Sequence, residues 1–453
     1  MTEKKEYGWM PLSKATVRTS IPLSGLPGEP GRHCPMHTAL ALAKQLEDIS
    51  TLVVGTAECG YYSRYVMTEP RGKNGELHYV YELDANEVVF GCRKGLMDAI
   101  GEMDREGAKL ILLILTCVPA LIGEDMKAVI EELDGKVRAR LFFIDGAHFK
   151  YNGYLTGFLD TYCQLGEVYN NMESQEFMLN TQPVQKVCET DNDRKDQELI
   201  HMETRQVNFL GSLRGVEALA LKNFLTETGC GLLEMNPKNI TGKLAKLWEG
   251  SLSILQDPYQ GMLSKTLKKP VISLCRSFLA DDIREDYRAL KKMLISEGNT
   301  EEEFRLSSYK QLKEKEEKAC RELKGIPFII TVQELLALPI AAYLAALGME
   351  PKLLGVESFL EEDVLYRDRI LDTGYNPYLV TITEEKNLKE WGKDYPLLSI
   401  GHSSAVPESR VINNLKVQKI FALLGYERSI LLLDHLMELG EKMKKGGMAD
   451  GLI

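Results

Sequence analysis

The sequence predicts an α/β protein built from three consecutive parallel-sheet blocks. Strand-like runs alternate with helix-like ones over most of the chain, the order that βαβ units produce. The strand-like runs are continuous apolar stretches, as expected of parallel strands covered on both faces. The length of 453 residues suits three domains at about 150 residues each.

Residues 1–30 read as an N-terminal extension, with domains over 31–200, 201–324 and 325–453. In the first, strands are expected at Thr51–Gly55, Val88–Phe90, Leu110–Leu115 and Leu141–Ile144. Helices are expected between them at Met36–Leu46, Gly95–Glu106 and Ile122–Leu133, where apolar residues recur at helical spacing. The second opens with a strand at Val207–Ser212 and a helix at Gly215–Thr228, and reaches a strand at Pro270–Leu274. Residues 295–324 are a highly charged helical segment, read as a solvated face. The third has strands at Ile326–Ile330, Pro351–Val356 and Pro396–Ile400, a helix at Glu334–Leu347, and a long final helix.

Composition excludes several classes of function. With 55 basic and 66 acidic residues the net charge is −11, and no basic stripe is interleaved with aromatics, so nucleic-acid binding is not expected. The longest uncharged apolar stretch, Leu335–Met349, contains Pro339 and is shorter than the roughly 18 residues of a membrane span. It reads as a buried helix, and no membrane association is expected. Met1–Glu6 is polar and lacks a signal-peptide core, which predicts a cytoplasmic protein. No Gly-x-x-x-x-Gly-Lys-Ser/Thr sequence occurs, nor a Gly-x-Gly-x-x-Gly after the first strand, so no nucleotide is expected on this chain.

Nine cysteines are spread along the chain without any Cys-x-x-Cys, so a metal cluster would have to draw thiolates from distant segments. Cys59 follows the strand 51–55 and Cys117 follows the strand 110–115. Both therefore stand at the carboxyl edge of the sheet, where ligands of open α/β sheets bind. Cys34, in Gly31-Arg-His-Cys-Pro35, precedes a helix, where backbone N–H groups favour a thiolate. Three convergent thiols suit a soft metal, above all iron with sulfide. Taken singly, each reads better as a small buried hydrophobe.

The segments Cys34-Pro-Met-His37, Gly55-Thr-Ala-Glu-Cys-Gly-Tyr-Tyr62, Glu87-Val-Val-Phe-Gly91 and Thr116-Cys-Val-Pro-Ala-Leu-Ile-Gly-Glu-Asp125 resemble the N-terminal domain of the nitrogenase component 1 superfamily. Ile340–Val356, Pro396–Gly401 and Gly425-Tyr-Glu427 resemble its third domain. The superfamily includes the molybdenum-iron protein subunits, the scaffolds of their cofactor, and protochlorophyllide reductase relatives. The resemblance implies three Rossmann-like parallel-sheet αβα domains around a central cavity. It also implies that Cys34, Cys59 and Cys117 hold an iron–sulfur cluster, [4Fe–4S] or larger and P-cluster-like, close to a subunit interface. The implied partners are an ATP-hydrolysing homodimeric iron protein that donates electrons and a second component 1 subunit, identical or homologous.

The sequence departs from the pattern at two places. Cys92 replaces the second glycine that usually follows the Glu87 segment, as a packed thiol or a further cluster ligand. Ser251–Tyr259, where the catalytic nitrogenase subunit carries its cofactor cysteine, has no cysteine, and Cys275 one element later reads as packed. His402, in Ile400-Gly-His-Ser-Ser404, falls near the position of the family's cofactor histidine, and His148 of Asp145-Gly-Ala-His148 near its substrate cavity. Both are candidate catalytic residues: His402 as a metal ligand or proton carrier, for which a histidine hydrogen-bonded to loop backbone is the commoner reading, and His148 as a residue lining the cavity. His33 and His37 flank Cys34 as candidate hydrogen-bond donors to a cluster sulfur. The expected function is a nitrogenase-like reductase subunit whose substrate is not dinitrogen. Its rivals are a non-catalytic scaffold for cofactor assembly and a cluster-free α/β binding module.

Overall fold

The computed structural model describes residues 9–17, 21, 34–150, 155–179, 205–235, 250–294, 308–331, 334–381, 388–389, 392, 396–403 and 405–449. A short strand at Met10–Pro11 (β1) comes first. It is followed by α1 (Pro35–Ala43), β2 (Ile49–Gly55), α2 (Ala57–Ser63), β3 (His78–Glu82), α3 (Glu87–Phe90), α4 (Arg93–Arg105), β4 (Leu110–Leu115), α5 (Cys117–Leu121), α6 (Met126–Leu133), β5 (Arg140–Asp145) and α7 (Leu155–Leu179). The next stretch holds β6 (Gln206–Leu210), α8 (Gly215–Glu227), β7 (Gly231–Met235), β8 (Leu252–Leu255), α9 (Gly261–Thr266), β9 (Val271–Ser273), α10 (Ala280–Leu294) and α11 (Ser308–Glu322). The last holds β10 (Pro327–Ile330), α12 (Ala337–Ala346), β11 (Glu350–Gly355), α13 (Val364–Asp372), β12 (Tyr378–Val380), β13 (Leu398–Ile400), β14 (Val411–Ile412), α14 (Asn414–Phe421) and α15 (Gly425–Ala449).

Three sheets result, in the orders β3-β2-β4-β5, β7-β6-β8-β9 and β1-β12-β11-β10-β13-β14. Every pairing among them is parallel except that of β1 with β12. In the first two sheets the chain steps from its first strand to one side and then returns to the other. In the third it steps outward through β10, β11 and β12 before crossing back to β13. Each sheet thus has one place where the winding reverses, between β2 and β4, between β6 and β8, and between β10 and β13. At such a place the outgoing loops diverge and leave a crevice.

The β2 and β4 strands are buried along their whole length, which accounts for their unbroken apolar sequence. Leu52 and Val54 of β2 pack into one cluster with Leu96, Ile100 and Val129, while Val53 packs with Met36, Leu40 and Ile144 on the other face. The α12 helix is buried from Ala337 to Ala345, as the apolar stretch Leu335–Met349 predicts, and Pro339 falls in its first turn, where no intrahelical donor is lost. No helix is long and apolar enough to cross a membrane, among the described residues.

One expected strand is corrected. Val88–Phe90 lies in the short helix α3, and the strand beside β2 is His78–Glu82. The Asp84 carboxylate accepts the N–H groups of Asn86 at 2.7 Å and Glu87 at 2.9 Å, so local capping wins over a three-residue apolar run. Val89 and Phe90 are left 71% and 86% exposed. The true strand is masked in the sequence because it lies at the sheet edge and mixes His, Tyr and Glu with Val. The helix expected over Ile122–Leu133 starts at Met126, where Asp125 accepts the Ala128 N–H. Strands β7 and β8 were not anticipated, and Met10–Pro11, expected only as part of an extension, pairs with β12 as an edge strand. Of the charged segment 295–324, the described part forms α11, which packs against α15.

The second and third sheets share a continuous apolar core, and a buried cation crosses it. Arg428, fully buried in α15, donates to the carbonyls of Cys275 (3.0 Å), Leu274 (3.2 Å) and Ser277 (2.6 Å), and its guanidinium lies 4.3 Å from the Phe278 ring. Burial depresses its pKa, and the charges of Cys275, Tyr287, Glu217 and Asp286 act to restore it. Nearby, Glu217 of α8 accepts from Tyr287 Oη (2.9 Å) and from the backbone N–H groups of Tyr426 (3.2 Å) and Glu427 (2.9 Å). Contacts also reach the first block, where the N–H of Leu155, at the start of α7, donates to Glu357 Oε2 at 2.6 Å.

Replacing Arg428 by Met removes the donor from three carbonyls and the charge from the buried carboxylates. The expected loss is about 3 to 5 kcal/mol, read as a lower urea midpoint; a loss under about 1 kcal/mol would contradict this account. Burial raises the Glu217 pKa from 4.5 to about 7, against its three hydrogen bonds. Its contribution to stability is therefore full below pH 4.5 and is lost as pH rises through about 7. The Glu217→Gln variant should show a flatter stability curve between these values, the difference being on the order of 3 kcal/mol. Parallel curves for the two proteins would exclude this linkage.

Candidate thiol site of the first sheet

The strands β2 and β4 are neighbours, paired from Ile49↔Leu110 to Val54↔Leu115, and the winding reverses between them. Their carboxyl ends run directly into α2 and α5, so Cys59 and Cys117 are delivered to one crevice. Cys34 is the residue immediately before α1, in an extended conformation, with Pro35 opening the helix.

Contacts among the loops bring the three together. The Cys59 thiol donates to Thr116 Oγ1 at 3.4 Å, across the two strands, and Thr56 Oγ1 lies 4.0 Å from Cys59 Sγ. The Thr116 hydroxyl is itself fixed by donating to Val54 O at 2.7 Å. Gly55 is required by this closeness, because a Cβ there would overlap Thr116 Oγ1 and approach Cys59 Sγ to 3.1 Å. The Cys34 thiol faces Gly146 O at 3.9 Å, and the His148 N–H donates to Cys117 Sγ at 3.2 Å. Burial pushes the Cys34 thiol up to about 12, with the charges of Cys117 and Cys59 adding to the rise and the N–H groups of Met36 and His37 opposing it. All three are free thiols, each half-buried.

Among the described residues no group of three or more His, Cys, Asp or Glu side chains is spaced to hold one metal ion. A tetrahedral ion with bonds of about 2.3 Å draws its sulfurs to about 3.8 Å from one another. The ligands of a multi-iron cluster bind separate irons and stand further apart. The donor set is soft, and the three thiols stand close enough for Cys117 and Cys59 to act on Cys34.

Of the remaining candidates, Cys92, Cys275 and His402 are placed apart, whereas His148 and His37 stand beside the thiols. Cys92 is buried with Leu52, Val54 and Leu96, on the face of the sheet opposite that on which Cys34 and Cys59 pack. Its N–H is held by the Glu124 carboxylate, and burial together with Glu124 pushes its thiol up to about 12. The His148 ring is half-buried, and burial lowers its pKa. His37 packs edge-on to Tyr62, with ring centroids 6.4 Å apart, and His33 lies outside the described residues. His402 is exposed at the reversal point of the third sheet, where its N–H donates to Asn414 Oδ1 at 3.0 Å and its carbonyl accepts from Thr331 Oγ1 at 2.8 Å. Cys275 is buried under Arg428.

Sequence reasoning assigned no role to Gly55, Thr116 or Gly146, each of which touches a thiol-bearing loop. A signal was present in two of them, a glycine closing β2 and a threonine between β4 and the thiol. Around the crevice Tyr61, Tyr65, Val89, Phe90, Leu121 and Phe149 are exposed apolar or aromatic side chains, more than a solvated loop edge normally carries.

The family model described as nitrogenase component 1 type oxidoreductase matches residues 34–436, which holds every strand of the three sheets but β1 and all three thiols. A solved structure of nitrogenase Cp1 at pH 6.5 is similar with a TM-score of 0.57 at 13% identity, over 92% of this chain and 94% of that one. Another, nitrogenase Cp1 at pH 5, is similar with a TM-score of 0.52 at 14% identity, over 94% and 91% respectively. At such identity the likeness is one of fold. The match across nearly the whole sequence shows more: the chain belongs to the nitrogenase component 1 type oxidoreductase family.

Proposed function

We propose that this chain is a nitrogenase-like reductase subunit that holds an iron–sulfur cluster through Cys34, Cys59 and Cys117 and passes electrons from an ATP-dependent iron protein to a substrate other than dinitrogen. The observation that carries the reading is the convergence of three free thiols on the reversal point of the first sheet. A cluster bound there would supply one-electron transfer. The chain's own groups have defined tasks. Gly55 and Thr116 fix the Cys59 sulfur, and the His148 N–H supports negative charge on Cys117. Cys92 is a packed thiol that anchors Glu124.

The exclusion of dinitrogen rests on the second sheet. The β8 strand runs into Gln256-Asp257-Pro258-Tyr259 without a thiol, and Asp257 accepts the Tyr259 N–H at 3.0 Å. A large soft cofactor needs a thiolate anchor that this segment lacks, and the imidazole of His402 alone is a weak one. The exposed apolar rim supports the partners proposed, the iron protein and a second component 1 subunit.

Anaerobically purified protein should be brown, and Cys117→Ala should bleach it and lower its bound iron; unchanged iron would remove Cys117 from the ligand set. With an ATP-hydrolysing iron protein, MgATP and dithionite, a reductase consumes electrons repeatedly in the presence of its substrate. Loaded protein that only hands its cluster on, without turnover, would establish a scaffold instead. Three cysteines leave a four-iron cluster one ligand short, so the iron-loaded protein should be an oligomer in light scattering. A monomer with a full complement of iron would contradict that.

A further inference from the structure

We infer that Asp145 is a positioning residue of the thiol site: through one tight turn it holds the His148 N–H on the Cys117 sulfur and so sets the reduction potential of a cluster bound there. The inference rests on the reading of the three cysteines as cluster ligands. A single loop, the one leaving β5, touches two of the three thiols, with Gly146 O facing Cys34 Sγ at 3.9 Å and His148 N donating to Cys117 Sγ at 3.2 Å. Its start is tied to the strand that leads to Cys117, since the Gly146 N–H donates to Leu115 O at 2.8 Å. Asp145 then closes the turn: Oδ1 accepts the Ala147 N–H at 3.1 Å and Oδ2 pairs with Lys150 Nζ at 2.5 Å, while Lys150 N donates to Ala147 O at 3.0 Å. Side to side there is little slack. A Cβ on Gly146 would stand 3.2 Å from Ile114 Cγ2 and 3.6 Å from Met36 N, so the loop backbone is pressed between β4 and the start of α1.

An N–H aimed at a ligating sulfur stabilises negative charge on it, more so in the reduced state, and raises the potential. The carboxylate of Asp145 brings negative charge of its own, which acts in the opposite sense. The two effects separate in a pair of variants of equal charge. Asp145→Asn keeps an oxygen that accepts the Ala147 N–H, and Asp145→Ala does not. In anaerobically purified protein of unchanged iron content, redox titration followed by electron paramagnetic resonance should give Asp145→Ala a more negative midpoint than Asp145→Asn. Equal midpoints would overturn the inference. Should Asp145→Ala fail to fold or to load, amide exchange at His148 in the iron-loaded wild type takes its place: slow exchange supports the held N–H, and exchange as fast as an open turn overturns it. A wild type that binds no iron would instead sink the cluster reading itself, before any potential is measured.

Discussion

The reversal of winding between β2 and β4 is the constraint on which the site depends. Adjacent parallel strands normally send their crossover connections over the same face in the same sense. Where the sense reverses, the two connections part, and the backbone groups at the strand ends face a crevice instead of a neighbouring loop. In this chain the loops that part carry Cys59 and Cys117, and the β5 loop on the next strand reaches Cys117 and Cys34. The sheet is rigid because its two inner strands are buried on both faces. The thiols therefore inherit fixed positions from strands whose own sequence says nothing about metal.

The same device recurs twice, and the chain uses it differently each time. In the second sheet the reversal lies between β6 and β8, where Ser212 N donates to Gln256 Oε1 at 3.2 Å and Gln256 Nε2 reaches Phe421 O at 2.9 Å. A polar side chain fills the gap and ties it to the last block. In the third sheet Thr331 and His402 meet between β10 and β13. Three similar architectures thus hold a thiol trio, a structural amide and an exposed imidazole. The fold supplies the crevice, and the residues at its lip decide the chemistry.

Legibility in the sequence followed burial. β2, β4 and α12 are buried on all sides, so their apolar runs needed no tertiary information to be read. β3 is an edge strand with partly buried Tyr, Val and His, and its pattern was overshadowed by Val88-Val-Phe90, which is more apolar and yet exposed. That misreading has a physical cause: an apolar triplet looks the same whether a core or a protein surface needs it. Cys59 and Cys117 could be placed at strand ends from the sequence, since each follows a recognisable apolar run, and Cys34 before a helix, since it precedes a proline. What holds them could not. Thr116 on Cys59 and His148 N–H on Cys117 join residues 57 and 31 positions apart, and such contacts follow from strand register and loop path.

Cys92 shows how the two kinds of information combine. From the sequence it is a fourth thiol near the others, and β2 lies between it and them in space. Successive side chains of a strand point to opposite faces, so Val53 marks the Cys34 and Cys59 face while Leu52 and Val54 mark that of Cys92. Its link to the site runs through the backbone. The Cys92 N–H holds Glu124, and the Glu124 N–H donates to Pro119 O at 3.0 Å, within the helix that begins at Cys117. The residue that replaces a glycine thus braces the far end of α5, and its sulfur is free to serve as core. A ligand role for it would require turning the thiol through the sheet, against the packing of Leu52, Val54 and Leu96. The three thiols at the reversal point need no such rearrangement.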